Sequence, residues 1–527
     1  MNVRLTALTV AVLSTLSTSA SALLYGEVLV DKQSTTESVL ADGTKTFGTS
    51  DAQTVEMIGR TEGDEKTKYA LLVGNTGDEK VSVSGQKISI HGLTAGMQGI
   101  VLVDFDPERN KQFVTLNLGE AGKTNSIDIV NEKTNGVGLM TKGQGDAHLT
   151  VEAKSLTIKA DFAGIWVQGN TELADPSVLT GRAQTIINAE NTTIHGSTHG
   201  IVNISNGYVE VNGNLDIDTR YAINVRGNSD TYINRDGENT VKLNGTIIFE
   251  TDGGGTSGSI INANVYLNLT GSDSYWSGTT MYLIPNTWKP TDDNYEKNTT
   301  VTGMHLMLSN GAQWIIQPYN DWYPNSYAQG YQALDDLELN GGVINLQDAN
   351  NQQIVEKLHG TGGTINIAAV KDGDTYKPFQ KIEFQQTTNT EDQGSVILIQ
   401  NYTGINADEL ATMDAEKVFN DLNAVQAGTA TDLDQTQVIG EGDIYGPAMR
   451  KLARNSQGQY EGGAVTYGTN TKQDAYQSLT AMNYLSWRHD MNDLTKRMGE
   501  LRDAPEGVGA WARIYGSEHE YGAQNLI

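Results

Sequence analysis

Short segments of alternating apolar and polar residues recur in pairs along the first half of this chain. Each pair consists of one alternating strand, a bend that usually contains glycine, and a second alternating strand. The intervals between successive pairs are 39, 29, 36 and 23 residues, measured at Ile90, Ile129, Ile158, Ile194 and Ile217. Alternation gives each strand one apolar side, and no pair can bury that side alone, so neighbouring pairs must stack. Loose periods in this range indicate stacked coils.

We therefore predict an all-β fold, a right-handed parallel β-helix (a solenoid) that spans residues 23–440. At roughly 25 residues per coil, the region would hold about sixteen coils. With strands about 4.8 Å apart, these coils would form a rod roughly 75 Å long. Several β-sandwich domains are the alternative, but the sequence lacks the linkers expected between them. Helical spacing over residues 407–425 indicates an insertion or a cap near the end of the rod.

The charge of the chain limits the partners it can have. Its 64 acidic and 36 basic residues give a formal net charge of −28. Nucleic acid and anionic lipid both require basic patches, so neither is expected as a partner. The chain has no cysteine, so its stability must come from burial and backbone hydrogen bonds.

The first 22 residues have the layout of a secretory signal peptide. Arg4 supplies the positive charge, a short apolar region covers residues 5–16, and Ala20-Ser-Ala22 is a cleavage site with small residues. The apolar region is too short for the alternative, a membrane anchor. We predict cleavage after Ala22 and export of the rest of the chain.

An amphipathic stretch over residues 471–502 predicts a long α-helix. Its apolar stripe has intervals of four and three residues and comprises Trp487, Met491, Leu494, Met498 and Leu501. Pro505 and Gly507 end the helix, and residues 509–516 have the composition of a strand. Because the stripe has heptad spacing, a dimeric coiled coil is the alternative.

Four segments together carry a family resemblance. They are the strand, turn and Trp of residues 306–314, the Gly-Gly turns of residues 337–346 and 358–367, and the junction of helix and strand that ends at residue 516. In this order they resemble the passenger of a pertactin-like bacterial autotransporter and its junction with the translocator.

The resemblance implies a domain order and a route of export. Closing coils are expected at about 301–400, a linker at 441–470, the helix 471–502 in the lumen of an outer-membrane β-barrel, and the start of that barrel at 507–527. The chain reaches Ile527 within the first barrel strand, so we interpret it as a fragment with an incomplete barrel. The implied route is type V secretion, with the barrel assembly machinery as a partner and the passenger displayed at the surface of the outer membrane.

Some carboxylate and histidine motifs have the residue types of catalytic or metal sites. The pairs Asp104/Asp106 and Asp216/Asp218 have the spacing for acid–base chemistry or Ca²⁺ binding, but on an outer face they are simply solvated. His195 and His199 flank a turn without a third ligand.

Two loop motifs lack the context that their chemistry requires. Gly360-Thr-Gly-Gly363 leads into a strand rather than a helix, so a phosphate-binding loop is not expected. Residues 234–238 have the composition of a Ca²⁺ loop without its downstream Glu. The sequence has no Gly-Asp-Ser-Gly stretch of serine-protease autotransporters. We predict no catalytic, metal or cofactor site.

A loop region rich in Pro, Asp and Asn carries the candidate binding residues. Long loops on a rigid scaffold are common binding sites, and aromatic side chains beside polar groups suit sugars or proteins. The candidates are Trp276, Trp288, Tyr319, Trp322 and Tyr323. The alternative is that these aromatic side chains pack back on the rod.

We thus predict a surface-displayed passenger that is not an enzyme and acts by binding a host glycan or protein, as in adhesion. A β-helical polysaccharide lyase or hydrolase and a structural surface spacer are the alternatives.

Overall fold

The computed structural model is an all-β protein over the part of the chain that it describes. The described residues are 26–35, 44–59, 69–74, 79–91, 98–104, 113–132, 134–143, 146–169, 182–196, 198–250, 263–285, 303–317, 327–329, 333–346, 352–373, 375–378, 380–387, 396–406, 409–410, 414, 424–427, 431–432, 436–441, 448–454, 459–467, 482–484 and 487.

Within these residues the secondary structure consists almost entirely of strands. They are β1 Gly26–Val30, β2 Gln33–Thr35, β3 Thr44–Phe47, β4 Thr54–Gly59, β5 Tyr69–Gly74, β6 Glu79–Val83, β7 Lys87–His91, β8 Gln98–Asp104, β9 Phe113–Gly119, β10 Ser126–Asn131, β11 Val137–Gly143, β12 Asp146–Ala160, β13 Ala163–Gln168, β14 Ala183–Gly196, β15 His199–Ile204, β16 Gly207–Arg226, β17 Asp230–Ile233, β18 Val241–Glu250, β19 Asn264–Thr270, β20 Tyr275–Gly278, β21 Thr280–Pro285, β22 Met304–Ser309, β23 Gln313–Ile316, β24 Tyr327–Gln329, β25 Ala333–Leu346, β26 Gln352–Asp372, β27 Thr375–Pro378, β28 Lys381–Thr387, β29 Val396–Asn406, β30 Val425–Gln426, β31 Thr431–Asp432, β32 Thr436–Glu441, β33 Ala448–Arg454 and β34 Tyr460–Tyr467.

Most of the first strands pair in parallel with a strand further along the chain, rather than with their sequence neighbour. β4 pairs with β7, β7 with β10, β10 with β12, β12 with β14 and β14 with β16. The register places Ile90, Ile129, Ile158, Ile194 and Ile217 opposite one another in turn. The intervals read from the sequence are therefore the distances along the chain between paired strands, and the predicted all-β class is confirmed.

Inward side chains at matching register positions form buried columns, and three of them extend over five or more strands each. One column runs through Met57, Ile90, Ile129, Ile158, Ile194, Ile217, Leu243, Trp276 and Trp314. A second includes Leu139, Ile165, Ile201, Ile223 and Ile247. A third runs through Val81, Leu116, Leu149, Thr185, Val209, Thr231, Val265 and Met304. All of these side chains are buried, and each large one stabilises the fold by roughly 1.5–3 kcal/mol.

Glycines near the start of the second strand of a pair, Gly138 in β11 and Gly164 in β13, are required by close packing. A Cβ atom on Gly164 would lie 2.4 Å from Cγ2 of Ile194, and one on Gly138 would lie 2.5 Å from Cγ2 of Ile158. The branched methyl of each isoleucine thus occupies the space that a side chain on the glycine would need. This contact explains why glycine follows the first strand in successive pairs.

Polar side chains also stack at matching positions outside the apolar columns. The Asn212 amide donates to Asn188 Oδ1 at 2.9 Å, and the Asn214 amide donates to Asn191 Oδ1 at 3.1 Å. Inside the fold, the hydroxyls of Thr141 and Thr185 are 2.7 Å apart. Because each amide has both a donor and an acceptor, such pairs satisfy each other from strand to strand.

The chain divides into two compact units, and the second comprises residues 369–377, 401–422 and 434–527. In this unit β32, β33 and β34 form an antiparallel sheet. Much of the predicted linker 441–470 therefore lies in β-strands. Val438, Leu452 and Tyr460 supply buried apolar side chains to this sheet.

The helix predicted over residues 407–425 differs from the structure at its end. Glu409 and Leu410 are helical, but Val425 begins the strand β30. Glu409 accepts hydrogen bonds from Lys371 Nζ at 2.6 Å and from the Tyr376 hydroxyl. Burial and this bond raise the pKa of Tyr376 to about 12.

The predictions for the two ends of the chain fall mostly on residues outside the described part. Residues 482–484 and 487 of the predicted helix 471–502 are helical, and its remainder lies outside the described residues, as do 1–22 and 507–527. In the described part of the chain, no helix has the length and apolar character needed to span a membrane.

Candidate functional site: a Tyr-His ladder

Three aromatic side chains stack on the outward face of β17, β19 and β22. Tyr232 lies opposite Tyr266, which lies opposite His305. The ring centroids of Tyr232 and Tyr266 are 4.6 Å apart with an interplanar angle of 3°. Those of Tyr266 and His305 are 4.5 Å apart with an interplanar angle of 5°. We call Tyr232, Tyr266 and His305 the Tyr-His ladder. Because the stacked faces cover one another, the ring edges and polar atoms are the parts that face solvent.

The ladder continues into an ionisable cluster on the next two strands. Asp336 on β25 lies opposite His305, and its Oδ2 is 3.4 Å from His305 Nδ1. Asp336 Oδ1 is 3.2 Å from Nε2 of His359 on β26. The three side chains are 34%, 31% and 27% exposed for His305, Asp336 and His359. One carboxylate therefore lies between two imidazoles at a partly solvated position.

At its other end, the ladder meets a group of paired charges. Arg235 lies over the ring of Tyr232 at 4.5 Å and is 3.5 Å from Glu210. The Tyr208 ring lies 5.5 Å from Tyr232, and its hydroxyl donates to Glu210. Stacking of a guanidinium on an aromatic face adds a modest attraction of about 0.5–1 kcal/mol at an exposed site.

A second cation at this end is also paired. Arg182 lies 4.8 Å from the centre of the Tyr208 ring and forms a salt bridge with Asp230. Asp230 in turn accepts a hydrogen bond from the Asn264 amide at 2.8 Å. The charges at this end of the ladder therefore compensate one another.

The ladder borders a groove of about 340 Å³, which we call the ladder groove. Its walls combine aromatic, amide, thioether and charged side chains. The outward lining residues are Tyr232, Arg235, Tyr266, Asn268, His305, Met307, Asp336, Glu338 and His359. A groove of this size and mixed lining is within the range of small-ligand sites.

The ladder environment changes the proton affinities of its groups. Burial raises the pKa values of Tyr208, Tyr232 and Tyr266, and acidic neighbours raise all three further. The hydrogen bond with His305 lowers the pKa of Asp336, and His359 adds to this effect. The tyrosines therefore stay protonated donors, and Asp336 stays ionised.

The direction of the Asp336 pKa shift does not match that of a glycosidase acid. A glycosidase needs one carboxyl group with a raised pKa as its acid. The pKa of Asp336 is shifted in the opposite direction, because two imidazoles stabilise its charge. The neighbouring Glu338 accepts a hydrogen bond from the Asn340 amide at 2.7 Å. What the groove offers is a set of fixed hydrogen-bond donors and acceptors.

Trp276 differs from its predicted role as a binding aromatic. Its side chain is fully buried, its ring stacks on Trp314 at 5.4 Å and 3°, and its Nε1 donates to the Gly245 carbonyl at 3.0 Å. Trp276 is therefore a core residue, because its position in β20 places the side chain inward. The other candidates, Trp288, Tyr319, Trp322 and Tyr323, lie outside the described residues.

The position of each carboxylate pair in its strand decides where the pair lies. Asp216 and Asp218 both face outward, alternating with the buried Leu215 and Ile217. Asp104 ends β8, and Asp106 lies outside the described residues.

The two histidines near the turn differ in their exposure to solvent. His195 is exposed, whereas His199 is buried between the rings of Phe162 and Tyr221, each 5.1 Å away. Burial lowers the pKa of His199, which favours its neutral form. His195 and His199 thus have different surroundings.

In the remaining loop motifs, polar groups form hydrogen bonds with other residues of the chain. Asn234 has a φ of 54°, accepts hydrogen bonds from the Asn239 backbone and side chain, and donates to the carbonyls of Asn239 and Asn268. In the other motif, the Thr361 amide donates to Asn340 Oδ1 at 3.0 Å. Within the described residues no cluster of His, Asp and Glu could hold a metal ion.

The ladder was missed from the sequence although a signal was present. Each member stands between two inward residues, in Thr-Tyr-Ile at 231–233, Val-Tyr-Leu at 265–267 and Met-His-Leu at 304–306. Aligning these triplets would have placed the three side chains at one outward position. Trp276 pairs with Trp314 at an interval of 38 residues, one residue shorter than the interval between Tyr266 and His305, so this alignment alone does not find that pair.

Comparison with known proteins gives a limited assignment. No family model matches the chain. The chain is similar to the serine protease pet autotransporter of Escherichia coli O44:H18 (strain 042 / EAEC), with 31% identity over 144 residues. The match covers 25% of this chain and 11% of that relative, so the chain corresponds to a small part of the relative's length. This similarity supports the autotransporter class for the chain in general terms, without singling out the pertactin-like type.

Proposed function

We propose that this chain is the passenger of a pertactin-like autotransporter and that its strands form a right-handed parallel β-helix. The parallel register between strands of successive pairs and the three buried columns support this fold. The similarity to an autotransporter supports the class. A signal peptide at 1–22 would direct export. A helix at 471–502 would lead into a barrel inserted by the outer-membrane assembly machinery, leaving the passenger at the cell surface.

The function that we propose for the passenger is adhesion by binding, without catalysis. The observation that carries this proposal is the ladder groove, whose aromatic edges and polar groups are fixed by the register of five strands. Fixed polar groups beside aromatic rings are suited to recognition. The relative is named a serine protease, but this sequence has no Gly-Asp-Ser-Gly stretch.

Adhesion can be tested with beads that carry the purified chain. We expect such beads to bind cultured mammalian epithelial cells several-fold more than beads coated with albumin. Beads carrying a Tyr266→Ala/His305→Ala double variant should bind less, because both side chains belong to the ladder. Binding no stronger than that of albumin would contradict the proposal and favour a structural spacer. Cleavage of polyuronate or of a protein substrate by the chain would instead favour an enzyme.

A further inference from the structure

We propose that the ladder groove binds a short neutral oligosaccharide through the edges of its stacked rings. This inference rests on the proposed binding function and assigns a ligand class to the groove. Three features of the groove carry it: its charges, its hydrogen-bonding groups and its dimensions.

The charges that line the groove argue against a strongly anionic ligand. Arg235 is 3.5 Å from Glu210, and Asp336 lies between His305 and His359 at 3.4 and 3.2 Å. A polyanion would need cations that are not already paired with carboxylates at the same site. A neutral ligand can bind without separating these pairs.

The hydrogen-bonding groups suit a ligand rich in hydroxyls. The Tyr232 and Tyr266 hydroxyls interact with each other, and each hydroxyl can donate one and accept two hydrogen bonds. The side chains of Asn268 and Glu338 also line the groove, and the Glu338 carboxylate offers acceptors. Sugar hydroxyls likewise donate and accept, so they can match such a mixed wall without a net charge.

The dimensions of the groove favour a short chain that crosses the strands. Tyr232, Tyr266, His305, Asp336 and His359 lie on five successive paired strands, which at about 4.8 Å per step span roughly 19 Å. Each step is comparable to one pyranose unit. The volume of about 340 Å³ is near the lower end for ligand sites, which limits the bound portion to a few sugars.

The proposal can be tested by saturation-transfer NMR and calorimetry on the purified full chain. The neutral probes are cellotriose, chitotriose and lacto-N-tetraose, and a heparin-derived tetrasaccharide is the charged probe. We expect at least one neutral probe to bind with a Kd below about 1 mM. Tyr266→Ala should weaken that binding at least tenfold. Tyr266→Phe, which keeps the ring and removes the hydroxyl, should weaken it by roughly threefold to tenfold.

A matched control is Tyr275→Ala, because Tyr275 is also a half-buried, outward tyrosine on a strand but does not line the groove. Binding by this variant should equal that of the wild type. The inference is overturned if no neutral probe binds, if only the heparin probe binds, if a bound probe is hydrolysed, or if Tyr266→Ala binds normally. Bead adhesion that persists without binding of any neutral probe would overturn this inference and leave the proposed adhesion standing.

Discussion

At the scale of single residues, the side chain that stands between two core residues of a strand faces outward and determines the chemistry of the surface. Leu267 and Leu306 point inward, while the preceding Tyr266 and His305 point outward and stack. The same alternation that builds the core therefore lines up the outer side chains of neighbouring strands. Single substitutions on either side of a strand can be assigned to the core or to the surface from this pattern.

Asp336 should contribute a pH-dependent increment of stability. Its pKa is lowered from 3.8 by His305 and His359. A lowered carboxyl pKa stabilises the fold above the unfolded pKa, and this stabilisation is lost as the pH falls through the folded pKa. Asp336→Asn should therefore lower the unfolding free energy at pH 6, by at most about 1 kcal/mol because the pair is partly solvated. Urea unfolding at pH 6 and at pH 3 measures this difference, which should shrink at pH 3.

The control for this measurement is Asp218→Asn, at an exposed carboxylate on β16. Its effect should be smaller than that of Asp336→Asn at pH 6. An Asp336→Asn effect that is equal at both pH values would contradict the electrostatic account.

The buried tryptophan pair should be a large source of stability. Trp276 and Trp314 are fully buried and stacked, and Trp314 Nε1 donates to the Gly278 carbonyl at 3.2 Å. Trp314→Ala should cost about 3–5 kcal/mol of unfolding free energy, because it leaves a cavity and an unpaired carbonyl. Urea denaturation followed by circular dichroism measures the loss. The outward Tyr275→Ala should cost less than about 1 kcal/mol, and equal losses for the two variants would contradict the inward assignment.

At the scale of elements, glycine allows successive strand pairs to approach closely. Gly164→Ala should destabilise the chain by about 1–3 kcal/mol, because the new Cβ would lie 2.4 Å from Cγ2 of Ile194. Thermal and urea unfolding both report this loss. Adding Ile194→Leu removes the branched methyl and should recover part of the lost stability. No recovery would show that the 2.9 Å approach to the Gly200 carbonyl, rather than the methyl, limits the site.

At the scale of the whole molecule, the net charge of −28 produces self-repulsion. Raising the NaCl concentration from 0.01 to 0.15 M shortens the screening length from about 30 to about 8 Å. The Tm should therefore rise by a few degrees, since more like-charge repulsion than pairwise attraction is screened. Equal shifts with KCl would identify screening as the cause, and a falling Tm would mean that favourable ion pairs dominate.

The sequence by itself determined the strands and the spacing between the strands that pair. Ile90, Ile129, Ile158, Ile194 and Ile217 could be found by alternation alone, because a buried strand face requires an apolar residue at every second position. The bend glycines also followed from the repeated pattern. The stranded segment within residues 448–467 was not predicted, since antiparallel pairing of short, weakly apolar strands has little periodic signal.

Only the tertiary structure decided which side chains meet. Tyr232, Tyr266 and His305 are separated by 34 and 39 residues, and the similar triplets around them do not by themselves show that their strands pair. The intervals between paired strands vary in length, so the register of parallel pairing, rather than distance along the chain, determines which outward residues are neighbours. The same register turned Trp276 into the core, because the direction of a side chain is set by the parity of its position in a paired strand.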